Sequence, residues 1–63
     1  MVSIVVRLQD LKEAIDYLEK GGVGTEDFIQ ILQSGKNEIQ INEFAFDQGI
    51  ILNSGLFIPT FGD

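Results

Sequence analysis

Asn37-Glu38-Ile39-Gln40-Ile41-Asn42-Glu43-Phe44-Ala45-Phe46 is the stretch whose reading decides the fold. Ile39 and Ile41 alternate with Glu38, Gln40 and Asn42, the period of two expected of a strand with one buried face. Phe44 and Phe46 keep the alternation but one residue out of phase. That slip predicts a β-bulge around Asn42-Glu43 that re-aims the second pair, or a break into two strands. Downstream, Asp47-Gln48-Gly49 and Asn53-Ser54-Gly55 read as turn triplets, with glycine available for positive φ. They bound two short apolar strands, Ile50-Ile51-Leu52 and Leu56-Phe57-Ile58, and Pro59 consigns the residues after it to an edge or tail.

Upstream, Val2, Ile4, Val6 and Leu8 alternate with Ser3, Val5 and Arg7 and predict an opening strand, with Val5 pointing to a second, partly covered face. A helix comes next. Asp10 is placed as N-cap with Glu13 three residues on, and Leu11, Ile15 and Leu18 form one stripe with Ala14 at its margin. Asp16 can pair with Lys20 one turn later, and Gly21-Gly22 ends the helix. Thr25 is a suitable N-cap for a second, shorter helix with Phe28, Ile29, Ile31 and Leu32 on its apolar face, stopped by Ser34-Gly35. The expected architecture is therefore α+β in the order β-α-α-β-β-β: a small, mostly antiparallel sheet with two short helices on one face. Residues 1–63 make a single domain, since no linker, repeat or low-complexity segment interrupts them.

Sixty-three residues leave a monomer marginally stable, and small domains usually add disulfides, a metal or self-association. With neither Cys nor His, the disulfide and zinc routes are closed. Ten acidic residues against four basic ones give a net charge of −6, which repels phosphate backbones and anionic lipid. Nucleic acid and membrane surfaces are thus poor partners, and a basic protein surface is a better one. The N-terminal apolar run lacks a basic flank and is too short for a signal peptide, so the expected location is cytoplasmic.

Lys20-Gly21-Gly22-Val23-Gly24-Thr25 resembles the deviant phosphate-binding loop of the ParA/MinD-type ATPases, Lys-Gly-Gly-Val-Gly-Lys-Thr, over six residues. The lysine before the Thr is missing, the loop comes after a helix where a strand is required, and Glu26 and Asp27 oppose an incoming nucleotide. The stretch reads instead as a glycine-rich connector. A weaker reading is that the amides of Gly22, Val23, Gly24 and Thr25 cup a small anion. Without His or Cys the usual general bases and thiol nucleophiles are gone, and no serine or threonine sits in a nucleophile-elbow context. Glu26/Asp27 and Glu38/Glu43 are simpler as dipole partners and outward strand residues. No enzyme, no cofactor and no metal site is expected.

The last third departs furthest from an ordinary small domain. Between Phe44 and Phe61 the only charge is Asp47, and both three-residue apolar runs are hydrophobic on both strand faces. Two short helices cover one face of a sheet but hardly both, so the other calls for a partner. Phe44, Phe46, Ile50, Leu52, Phe57 and Phe61 are the expected self-association interface. Glu13, Asp16, Glu19, Glu26 and Asp27 are the expected acidic surface towards a larger, basic protein. The sequence thus suggests a homo-oligomeric interaction module of the kind found among inhibitors, antitoxins and anti-defence proteins, an analogy of type. The alternative is an oligomeric sponge or sensor of a small anion, its site between subunits at Gly21–Gly24, with Arg7, Lys20 or Lys36 as counter-charges.

Overall fold

A computed structural model describes residues 3–62, with only the backbone of Ser54. The fold is α+β: among the described residues there is one helix, α1 (Leu8–Lys20), followed by β1 (Phe28–Gly35), β2 (Glu38–Ala45) and β3 (Ile50–Pro59). The three strands form an antiparallel sheet in the order β1-β2-β3. A lone antiparallel bridge between Val5 and Phe61 adds a fourth segment beyond the named strands. Short connections leave the strands no geometry but the up-and-down one.

The main correction is at residues 25–35. The second helix is absent; Phe28–Gly35 is strand β1. Phe28, Ile29, Ile31 and Leu32 fit one face of a helix, yet they equally fit a strand apolar on both sides. A helix of nine or ten residues cannot persist alone, whereas β2 offers a full ladder of hydrogen bonds. Pairing runs without interruption from Phe28↔Phe44 to Gln33↔Ile39.

The phase slip in β2 has a different origin from a bulge in that strand. Where the phase slips, β2 stays regular against β1, whose one register shift lies at the far end between Gln33 and Gly35; the irregularity lies across from the slip, in β3. Ile41 pairs with Leu56, Glu43 with Asn53 and Phe44 with Ile51, so the extra residues belong to β3. The apolar stripe of β2 simply crosses from one face to the other. Asn53-Ser54-Gly55 is accordingly no turn, and the two C-terminal runs are one strand. By contrast, Asp47-Gln48-Gly49 does turn the chain, with Gly49 at φ 69° and its amide donating to the Ala45 carbonyl at 2.7 Å.

The opening strand shrinks to the Val5 bridge, and Val2 lies outside the described residues. The helix starts at Leu8 with Arg7 as N-cap, so Asp10 sits in its first turn and caps nothing with its side chain. It accepts instead from Arg7 Nε at 2.9 Å and Nη2 at 3.2 Å. The helix ends in a Schellman motif: the Val23 amide donates to Leu18 O, the Gly22 amide to Glu19 O, and Gly22 takes φ 104°. Val23 thereby joins Leu18 in the core.

That core lies between α1 and one face of the sheet. Ala14, Leu18, Val23, Ile39, Ile41 and Ile58 are buried together, with Val6, Leu11 and Leu56 packed around them. The buried stripe is rotated towards Ala14, leaving Ile15 43% exposed. α1 rests on β3 and β2, and β1 is left outside its shadow.

Candidate functional site

Strand alternation assigns each side chain to a face. Ile29, Ile31, Ile39, Ile41, Leu56 and Ile58 share the helix side. Phe28, Gln30 and Leu32 of β1, Gln40, Asn42 and Phe44 of β2, and Ile51 and Phe57 of β3 share the opposite side. Among the described residues no element covers this second face.

The open face is aromatic at one end. The rings of Phe28 and Phe46 stack with centroids 5.1 Å apart. Around them Phe44, Leu52, Glu43 and Gln48 complete a shallow depression. Phe28 is 57% exposed, Phe46 71% and Phe57 50%. At about 200 Å² per phenylalanine, Phe28 and Phe46 present roughly 250 Å² of apolar surface at this end, while Phe57, opposite Gln40, lies about 13 Å further along β2. Ile51 and Leu52, both about half exposed, extend it. Patches of that size are near the largest found on ordinary soluble monomers.

Of the six residues expected at a self-association interface, the structure gathers Phe44, Phe46, Leu52 and Phe57 on or beside this face. Ile50 pairs with Ala45 and turns to the helix side. Phe61 lies at the far end, bridged to Val5, with the Arg7 guanidinium 5.6 Å from its ring centre. Phe28 and Ile51 belong to the face as well. Sequence reasoning misses Phe28 because its segment also fits a helix; its stretch of four apolar residues in five is the available signal.

The face also holds amides. Asn42 is wholly buried, and its Oδ1 accepts from the Gly55 amide at 3.1 Å, closing the bulge in β3. Its Nδ2 and the Oε1 of Gln30, the residue opposite it on β1, are buried without a hydrogen bond.

The acidic set divides. Glu13, Asp16 and Glu19 are exposed on α1, and Asp16 pairs with Lys20 at 2.9 Å. The hydrogen bond to Asp16, and then its charge, hold Lys20 above the ordinary lysine pKa. Asp10 acts on Arg7 in the same way. Glu26 and Asp27 lie in the turn before β1, where Asp27 Oδ2 accepts from the Gly24 amide at 2.7 Å. With the Gly22 and Val23 amides donating to the helix end, three of the four amides considered for an anion are engaged within the chain.

No helix among the described residues is long and apolar enough to cross a membrane, and no three acidic groups there converge on a common point. Comparison with family models, with curated proteins and with solved structures finds no match to this chain.

Proposed function

We propose that the protein is a small acidic interaction module that works as a homo-oligomer, two copies packing through their open sheet faces. The observation that supports this most directly is the uncovered stripe of Phe28, Phe44, Phe46, Ile51 and Phe57. Two such sheets stacked at about 10 Å bury their aromatic rows against each other and leave the helices outside. A stable dimer buries about 800 Å² per partner. Phe28, Phe46 and Phe57 supply less than half of that, so the amide and glutamate margin is buried with them. The occupant is a second copy because the stripe itself is uncharged, the carboxylates of Asp27, Glu43 and Asp47 lying at its aromatic end, so two chains of net charge −6 meet where their surface carries least charge.

In that assembly the outward helices carry Glu13, Asp16 and Glu19. They would be presented to a larger basic protein, as an inhibitor or antitoxin presents carboxylates to its target. Light scattering at micromolar concentration tests the reading. Phe57→Asp, at a half-exposed site, is expected to lower the number of chains per particle. A monomeric wild-type protein, or an assembly indifferent to Phe57→Asp, overturns the proposal.

A further inference from the structure

We infer that a second copy of the chain also adds, antiparallel, to the free edge of β1, joining two three-stranded sheets into one of six strands. The inference rests on the self-association reading above and extends it to a second contact.

Three observations lead there. First, β1 is an edge strand unprotected over Phe28–Gln33, its single register shift lying beyond Gln33. Phe28-Ile29-Gln30-Ile31-Leu32-Gln33-Ser34-Gly35 contains no charge and no proline, and pairing to β2 is regular from Phe28 to Gln33. β1 has one register shift, between Gln33 and Gly35 at its far end, whereas the other edge, β3, carries two in its middle as well as Pro59. Second, α1 lies over β2 and β3, so Ile15, Ile29 and Ile31 are uncovered on the helix side, at 43%, 43% and 50% exposure. Ile15 and Ile29 flank one groove there. A second β1 laid alongside brings the matching three isoleucines of the other copy to meet them. The two helices then flank a shared apolar seam.

Third, charge selects the register. Two identical antiparallel strands are related by a two-fold axis normal to the sheet, so each residue must face one on the same side. Centring the axis on Ile31 sets Ile31 against itself and Gln33 against Ile29. It also places Glu26, in the turn before the strand, at the same end of the seam as Lys36 of the second copy, in the turn beyond the register shift at Ser34. Centring it on Leu32 instead directs Glu26 towards Glu38. The Ile31 register is therefore favoured by opposite charges at both ends of the seam. With the face contact, the edge contact yields a four-chain particle of two six-stranded sheets, stacked aromatic face to aromatic face.

The chain has no cysteine, so single replacements report on register. Opposed residues in antiparallel strands have Cα atoms about 4.5–5.5 Å apart. A disulfide spans about 4.4–6.8 Å. Under mild oxidation Ile31→Cys is expected to form a covalent dimer rapidly. Gln33→Cys should not, because its copies sit about 13 Å apart along the strand. Both variants are made in the wild-type chain and in the Phe57→Asp chain, with thermal melts to show that each folds. Light scattering is expected to give four chains for wild type and two for Phe57→Asp, with Ile31→Cys cross-linking in both. If Phe57→Asp is a monomer while wild type is a dimer, or if Gln33→Cys links as fast as Ile31→Cys, the edge contact is overturned and the face contact stands. If Phe57→Asp leaves the particle unchanged and Ile31→Cys still links, the face reading falls and the edge contact stands. A monomeric wild type overturns both.

Discussion

Gly55 sits so close to β2 that a Cβ built on it would lie 1.6 Å from the Ile41 carbonyl oxygen and 2.7 Å from its carbon. Neither atom can move without breaking the ladder that places Asn42 under its bond from the Gly55 amide. Gly55→Ala is therefore expected to cost about 3 kcal/mol or more, the upper range for overpacking, measured as a fall in the urea midpoint. Asn42 answers to the same bulge from the other side. Asn42→Ala leaves the half-buried Gly55 amide without its partner, and a loss of about 1–2 kcal/mol should result. Because the two residues share one contact, the losses should not add in the double variant. Additive losses would show that the bulge is not held by this bond.

At the level of elements, the end of α1 is the most sharply specified feature. Gly22 at φ 104° is the left-handed residue of the Schellman motif, and nothing stands near where a side chain would be. Gly22→Ala should thus cost only the backbone strain, about 1–2 kcal/mol, with no change in assembly. The Asp16–Lys20 pair belongs to the same turn. Its partner raises the Lys20 pKa above 10.5 in the folded protein, so the stabilisation is complete below the unfolded value. It is lost as pH rises through the folded pKa. Comparing the melting temperatures of wild type and Asp16→Asn across pH 6 to 11 checks this: a constant gap near neutrality that closes only in strong alkali. A gap that closes near pH 7 would contradict the assignment.

For the molecule as a whole, the proposed assembly gathers several chains of net charge −6 around uncharged contacts. Their mutual repulsion is long-ranged and screened by salt, with a Debye length of about 10 Å at 0.1 M. The assembly should consequently tighten as salt rises from roughly 0.02 to 0.2 M, while capture of a basic partner by Glu13, Asp16 and Glu19 should weaken over the same range. Opposite salt responses separate the two surfaces in one sedimentation series. Weaker self-association at higher salt would show that charge, and not the aromatic stripe, joins the copies.

The sequence by itself determined the α+β class, the helix around Ala14 and Leu18, its glycine stop, the Asp47–Gly49 turn and the strand from Glu38. Each of these arises from local periodicity or from a residue with a restricted backbone, and none depends on distant neighbours. The run from Phe44, charged only at Asp47, also led to the expectation of a sheet face without a cover, and among the described residues no element lies over it. Only the tertiary structure decided that Phe28–Gly35 is a strand, because four apolar residues in five satisfy both periods and the choice falls to the free hydrogen-bonding edge of β2. Only the tertiary structure, likewise, moved the bulge from β2 to β3. A phase slip in one strand records that its apolar residues change face, while the residue count that strains the pairing is a property of two strands together.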